Sequence, residues 1–242
     1  MSPRARAAPA LLDVRVGRAR AWCTDKAHGN VADHVGDDPA NVARNRAAVA
    51  AVVARTGSVE PRGWVWPRQV HGAGVYVATG VPDPAALPVA DAAVTAERGL
   101  ALAIVTADCA PLVVACDDAV GVVHAGHRGL AAGVVEAAIA HLRDIGTGEV
   151  RAFLGPCIRP ARYEFGPHDL ARLVAQFGPG VEGRARDGSP ALDLPAAIRI
   201  VLERSGVVVF DDCGVCTAES DRYFSYRANG DTGRQATIAI LP

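Results

Sequence analysis

Residues 99–124, GLALAIVTADCAPLVVACDDAVGVVH, contain three apolar runs separated by short polar breaks. Apolar runs without polar alternation are typical of strands that are buried on both faces. The break at Asp117 and Asp118 is too short for a crossover helix, so the second and third runs are predicted to pair as antiparallel neighbours. Because helices and strands alternate elsewhere in the chain, the sheet is predicted to be mixed.

The breaks also carry reactive side chains. Cys109 stands just before the second run, and His124 ends the third run. In an antiparallel pair these ends lie at the same edge, so Cys109 and His124 are expected to meet there. His71, in RQVHG, also lies at a predicted strand end. Two imidazoles and a thiol suit Zn²⁺ or Cu²⁺, and three protein ligands leave one position open for water or substrate.

Spacing alone leaves other interpretations of these residues open. Cys109 would be an ordinary buried cysteine, and His71 a hydrogen-bonded loop histidine, if each were taken singly. A metal-free pair of Cys109 and His124 would be a cysteine nucleophile with its base. A non-enzymatic metal-binding module would have a closed site with four ligands and no deep pocket.

The remaining sequence predicts one α/β domain without internal repeats. A helix is predicted from Asp38, which caps it, through Pro39 in its first turn to Gly57. Further helices are predicted at 130–146, 167–178 and 192–206, and further strands at 64–72, 74–79, 150–155, 207–210 and 236–241.

The composition limits the class of protein and its partners. The 242 residues, half of them hydrophobic, suffice for one large domain or two small ones. A formal net charge of −1 argues against nucleic acid and a membrane surface as partners, because phosphate binding usually leaves a basic footprint. No apolar segment suits a secretory signal or reaches the ~18 residues of a membrane span. A cytoplasmic protein is expected, whose six cysteines are free, catalytic or metal-bound.

Five segments resemble one bacterial family, in that family's order. They are RQVHG, ADAAVTAERGLALAIVTADCAPLVV, VVHAGHRGL, LGPCIRPARYEFG and CTAESDRYFSYRANGDTGRQATIAIL. The chain is similar to the YfiH-like family, which is also described as laccase-domain or polyphenol oxidase, purine nucleoside phosphorylase, and peptidoglycan editing factor. The resemblance implies a single catalytic domain over residues 21–242, after an N-terminal tail and first strand in residues 1–20. It further implies an α/β/β/α layered sandwich with mixed sheets.

The resemblance also implies the ligands of a catalytic metal. The matching positions are His71, Cys109 and His124. The chain departs from the family where His127 replaces a tryptophan, and we expect His127 to line the pocket rather than to bind the metal. It departs again at Ala228, where the family has an arginine, and in a shortened N-terminal segment.

Further polar residues are expected beside the metal. Those expected to bind substrate are Asn45, Arg46, Gln69, Asp108 and His127. Arg46 is expected to face the pocket from its helix, with Asn45 on the same face. Asp91 or Asp108 would orient a ligand histidine through its second ring nitrogen, and Asp108 is preferred because it adjoins Cys109.

Arg128 is expected to act in catalysis by holding an anion. It follows the second metal-binding histidine and precedes a helix predicted from Leu130. Backbone N–H groups and the helix dipole favour negative charge at such a position.

The function predicted from these observations is metal-dependent purine nucleoside chemistry. Seven histidines without a His-x-His pair, and Met1 as the only methionine, argue against a multicopper laccase. The resemblance implies phosphorolysis of adenosine, inosine, guanosine and methylthioadenosine, and deamination of adenosine by a zinc-activated water. The alternative is an amidase that removes misincorporated L-serine from a peptidoglycan precursor.

The same resemblance sets the expected cofactor and partners. Zn²⁺ is the expected cofactor, and Cu²⁺ is able to occupy the same site. The expected partners are a purine nucleoside and phosphate, without nucleic acid or membrane, for a monomer or homodimer.

Overall fold

The computed structural model describes residues 10–57, 59–207 and 209–242. Its helices are α1 (Pro39–Gly57), α2 (His127–Ala131), α3 (Val134–Ile145), α4 (Pro167–Phe177), α5 (Leu194–Arg204) and α6 (Tyr226–Asn229). Strands β1 to β7 are Leu12–Val16, Ala19–Cys23, Gly63–Val65, Val75–Val77, Ala92–Thr95, Leu100–Thr106 and Ala110–Ala115. Strands β8 to β13 are Val120–Ala125, Arg151–Leu154, Glu182–Arg184, Pro190–Leu192, Val209–Asp212 and Gln235–Ile240.

Two mixed sheets pack face to face between layers of helices. The first sheet has the order β1-β2-β13-β6-β3, and the second has the order β12-β9-β7-β8-β5-β4. The first sheet contains one parallel pair, β3 with β6 at its edge, and the second contains a parallel pair at each edge, β4 with β5 and β9 with β12. Helix α1 covers the outer face of the first sheet, and α3, α4 and α5 cover the outer face of the second. The predicted α/β/β/α layering with mixed sheets is confirmed.

Burial on both faces explains the unbroken apolar runs. In β6, Leu102 and Ile104 enter the core between the sheets, whereas Ala101 and Ala103 face α1. Small side chains therefore lie where the helix approaches closely, and large ones fill the layer between the sheets. The same alternation places Leu112 of β7 against the outer helices.

The structure differs from the sequence-based prediction in several elements. The strand predicted over 64–72 ends at Val65 in β3, and α6 lies where no helix was predicted. The helix predicted over 130–146 is broken between α2 and α3, because Gly133 adopts a left-handed conformation with φ of +88°. Strands β10 and β11 form a short antiparallel hairpin that the apolar pattern did not predict, since the residues of β10 are exposed or partly exposed.

The predicted pairing of β7 with β8 positions the reactive side chains. The two strands are antiparallel, with Pro111 opposite His124 and Ala110 opposite Ala125. The residue before β7, Cys109, therefore lies at the same edge as the end of β8. Within the described residues, no helix is long and apolar enough to span a bilayer.

Replacing Leu142 of α3 by alanine tests the packing of the outer helical layer. Leu142 is fully buried against the second sheet, so Leu142→Ala should lower the free energy of unfolding by about 2–5 kcal/mol. Denaturant titration measures this loss. Leu87→Ala is the matched control, because Leu87 is exposed, and its loss should stay below about 0.5 kcal/mol. Equal losses in both variants would contradict the assigned layering.

Candidate metal centre

Three side chains from separate segments converge at the edge of the second sheet. One ligand atom each from His71, Cys109 and His124 lies within 4.8 Å of the other two. Cys109 Sγ is 3.9 Å from His71 Nε2, and the two imidazole rings meet edge to face with centroids 4.7 Å apart. His71 is exposed, Cys109 is partly buried and His124 is buried. The cluster therefore has one side open to solvent.

Asp91, immediately before β5, holds both histidines of the cluster. Its Oδ1 is 2.8 Å from His124 Nδ1 and accepts a 2.8 Å hydrogen bond from the backbone N–H of His71. Its Oδ2 accepts a 2.7 Å hydrogen bond from the N–H of Gly72. With Nδ1 of His124 engaged in this way, Nε2 is the nitrogen left to bind a metal.

The sequence-based preference for Asp108 in this orienting role is wrong. The carboxylate of Asp108 accepts hydrogen bonds from the hydroxyls of Thr217 (2.6 Å) and Ser225 (2.7 Å) and from the N–H of Arg227 (2.7 Å). Asp108 therefore ties the C-terminal loop to the strand edge, and none of these three hydrogen bonds involves a histidine of the cluster. Adjacency to Cys109 in sequence did not reveal this, because φ of +88° at Asp108 turns its side chain away from the cluster.

Close backbone approach makes room for the cluster. A Cβ on Gly126 would lie 3.0 Å from Cys109 Sγ and 3.2 Å from a ring carbon of His71. A side chain at this position would push the thiol and the imidazole apart. Glycine is therefore required where β8 turns into α2.

The protonation states of Cys109 and His124 are coupled. Burial raises the pKa of the Cys109 thiol, but the charge of His124 and hydrogen bonds from both histidines outweigh it and bring the pKa to about 6. Burial lowers the pKa of His124, but the Cys109 thiolate and Asp91 outweigh it and bring the pKa to about 9. The pair therefore favours a thiolate, which is the form that binds metals.

A cavity of about 370 Å³ opens onto the cluster. Three arginines line it, namely Arg128, Arg227 and Arg234. Among the described residues no acidic group pairs with Arg128, whereas Arg227 donates to the Glu164 carbonyl and Arg234 donates to three loop carbonyls. The three guanidinium groups outnumber Asp108, the one carboxylate among the lining residues, so positive charge predominates on the arginine side of the cavity.

His127 lines this cavity and is absent from the group of ligand atoms. Its Nδ1 is 3.2 Å from the hydroxyl of Tyr163, and its ring meets Phe165 edge to face. Burial lowers the pKa of His127, and the charge of Arg128 lowers it further, so the ring is neutral at neutral pH.

The other expected substrate-binding residues lie in different places. Gln69 lines the cavity but exchanges two 2.8 Å hydrogen bonds with the backbone of Val105. Arg46 lies in an adjoining cavity, where it stacks on Trp66 and pairs with Asp33. Asn45 donates to the carbonyl of residue 30 and does not line the main cavity.

Sequence reasoning missed several cavity residues. They are His34, Tyr163, Tyr226, Arg227 and Arg234. The last three belong to the C-terminal segment CTAESDRYFSYRANGDTGRQATIAIL, which was quoted for its resemblance but given no chemistry. The available signal was the clustering of arginine and tyrosine in a polar loop, since binding residues concentrate in such loops.

Two packed mixed sheets with a three-residue ligand cluster at a cavity define an α/β protein with a candidate metal centre. The family model described as "Multi-copper polyphenol oxidoreductase laccase" matches residues 17–242. The chain belongs to this family, the YfiH-like family.

Named relatives cover most of the chain. A Streptomyces coelicolor protein named purine nucleoside phosphorylase is 42% identical over 88% of this chain and 87% of its own length. A Mycobacterium tuberculosis protein of the same name is 39% identical over 88% of this chain and 84% of its own.

Solved structures show the same fold. A Neisseria meningitidis protein of family DUF152 has a TM-score of 0.81 at 30% identity and covers 96% of this chain and 98% of its own. YlmD from Geobacillus stearothermophilus has a TM-score of 0.80 at 30% identity, with 92% of both chains covered.

Replacing Asp91 by asparagine tests whether its carboxylate orients His71 and His124 for metal binding. The new amide nitrogen would face backbone N–H donors or the His124 ring, so the ligands would lose their orientation. Asp91→Asn should weaken Zn²⁺ binding about 10–100-fold, measured by competition with a chromophoric chelator. Asp118→Asn, in the turn between β7 and β8, is the control and should leave the affinity unchanged. Unchanged affinity in Asp91→Asn would contradict the orienting role.

Proposed function

We propose that this chain is a metal-dependent purine nucleoside phosphorylase that also deaminates adenosine. The observation that carries the proposal is one cavity in which a His–Cys–His cluster faces three arginines and several aromatic rings. The cluster would hold the metal, the arginines would hold the phosphate, and the aromatic rings would contact the purine. The names of the relatives support the nucleoside substrate over the peptidoglycan-precursor amidase, which would use the same cluster.

The donor set fits a single zinc ion. Two imidazoles and a thiolate are borderline and soft ligands, and the side of the cluster that includes exposed His71 leaves a position open. A Zn²⁺ held by His71, Cys109 and His124 would lower the pKa of a water toward ~7 and so supply hydroxide for deamination at C6 of adenine. Copper would fit the same ligands, but one such group among the described residues does not suit the several copper centres of a laccase.

The arginines of the cavity suit the glycosidic step. In phosphorolysis a phosphate oxygen forms a bond to C1′ of the ribose while the bond from C1′ to the purine nitrogen breaks. The phosphate must be held as an anion against the sugar, and guanidinium groups do this through paired N–H donors. Arg128 is proposed as the principal contact because, among the described residues, no acidic side chain competes for it. Arg227 and Arg234 add positive charge to the same wall.

The aromatic side chains suit the base. Tyr163, His127 and Tyr226 line the cavity, and a flat purine gains stacking or edge contacts on such rings. Arg46 would reach only a substituent that extends into the adjoining cavity, because it is paired there with Asp33.

Elemental analysis tests the metal. About one Zn²⁺ per chain is expected in the purified protein, and Cys109→Ala should lose it together with adenosine deamination, because water without the metal keeps too high a pKa. Cys116→Ala is the matched control, since Cys116 is buried at the other end of β7, and it should retain the zinc. Full zinc in Cys109→Ala would overturn the ligand assignment.

Replacing Arg128 tests the phosphate contact. Arg128→Ala should raise the KM for phosphate about 10–100-fold, because a charge-assisted hydrogen bond to the anion is lost. Deamination of adenosine, which uses no phosphate, should change much less. Arg172→Ala on the exposed face of α4 is the control. Arg46→Ala, in the adjoining cavity, should affect the KM for phosphate less than Arg128→Ala does. Equal losses of both activities in Arg128→Ala would place this side chain on the nucleoside instead.

A further inference from the structure

One wall of the cavity is built from aromatic side chains that fix one another. His127 Nδ1 lies 3.2 Å from the hydroxyl oxygen of Tyr163. Phe165 meets both rings edge to face, with centroid distances of 5.2 Å to His127 and 5.4 Å to Tyr163. The guanidinium of Arg227 covers the Tyr163 ring at 4.8 Å. The plane of the imidazole is therefore set by its neighbours.

The Tyr163 hydroxyl determines which nitrogen of His127 carries the proton. Tyr163 lines the cavity but is only 8% exposed, so its position is fixed by the surrounding protein. Among the described residues, the hydroxyl has one hydrogen-bond partner, His127 Nδ1. A phenol O–H is a stronger donor than the N–H of a neutral imidazole, and an imidazole nitrogen is a stronger acceptor than a phenol oxygen. We therefore assign the hydroxyl as the donor to Nδ1, so that the neutral imidazole carries its own proton at Nε2. Nε2–H is then the donor that His127 has left for a ligand in the cavity.

We propose that His127, held by Tyr163, selects 6-oxopurine nucleosides over 6-aminopurine nucleosides by donating from Nε2–H to the oxygen at C6. The inference rests on the proposed function, because it needs a purine at this wall. Inosine and guanosine present an acceptor at C6, whereas adenosine presents an amino group, so two donors would face each other. A site built to hydrogen-bond one such group discriminates strongly against the analogue that lacks it. His127 is the specificity residue, and Tyr163 is a positioning residue.

Equilibrium binding of inosine and adenosine, measured by calorimetry without phosphate on protein stripped of its metal, tests the proposal independently of turnover, because adenosine is not deaminated there. The wild type should bind inosine more tightly than adenosine. His127→Phe should reduce the ratio of inosine affinity to adenosine affinity about tenfold, mainly because inosine binds more weakly. His127→Gln, which places an amide donor near the position of Nε2, should restore part of the ratio. His127→Asn, whose amide is nearer the position of Nδ1, should not.

Two further variants separate positioning from packing. Tyr163→Phe removes the hydroxyl that fixes the tautomer and should lower the ratio about threefold to tenfold. Phe165→Leu removes the edge contacts of the aromatic ring but no polar atom, so it should weaken the binding of both nucleosides equally. Inosine and adenosine losing affinity in parallel in His127→Phe would overturn the inference.

The proposed function fails in a distinguishable way. Wild-type protein that binds inosine selectively, yet forms no hypoxanthine with phosphate, would keep the His127 inference and overturn phosphorolysis. Wild-type protein that binds neither nucleoside would overturn both.

Discussion

The candidate centre depends on one buried carboxylate, that of Asp91. It is fully buried and receives backbone N–H groups from Val70, His71 and Gly72 as well as the His124 ring. Within the part of the chain that the structure describes, no lysine or arginine pairs with this charge, so backbone dipoles and one imidazole stabilise it. Burial raises the pKa of Asp91, but these hydrogen bonds outweigh burial and hold the pKa below its ordinary value. The Asp91 carboxylate thus holds the end of β8, at His124, and the loop at His71 in one geometry, although the two segments are distant in sequence.

A second aspartate ties the cavity together from the other side. Asp108 precedes the thiol, and its carboxylate binds the loop that carries Arg227. His71 and Asp108 are the two described non-glycine residues with positive φ, at +59° and +88°. Such conformations persist where surrounding contacts hold them, and here each lies at or next to a proposed ligand. The backbone strain and the hydrogen bonds that support it are therefore concentrated around the cluster.

Much of the fold could be predicted because its determinants are local. Unbroken apolar runs indicated strands buried on both faces, and the short turn at Asp117 fixed the antiparallel pair that brings Cys109 to His124. Gly133 was harder, since glycine within an apolar helical pattern is often tolerated, and only its positive φ reveals the break.

The cavity was less predictable because its walls come from residues far apart in sequence. Arg227 approaches the cluster through its backbone N–H bond to Asp108, 119 residues away. Periodicity and spacing carry no information about such a contact. Asp108 was preferred over Asp91 as the orienting carboxylate for the same reason: both adjoin strands, and only the three-dimensional structure shows which carboxylate faces a histidine.

The position of β13 has a consequence for how the chain acquires this structure. β13 lies in the interior of the first sheet, between β2 and β6, and Cys23 meets Thr237 across 214 residues of sequence. Until residues 235–240 leave the ribosome, β2 and β6 each present an unpaired edge, and the face under α1 is incomplete. The first sheet therefore closes only after residues 235–240 have been synthesised, whereas β5, β7, β8 and α3 can associate earlier. Such long-range pairing is slow, and the apolar surface of β2 and β6 stays exposed until it is complete.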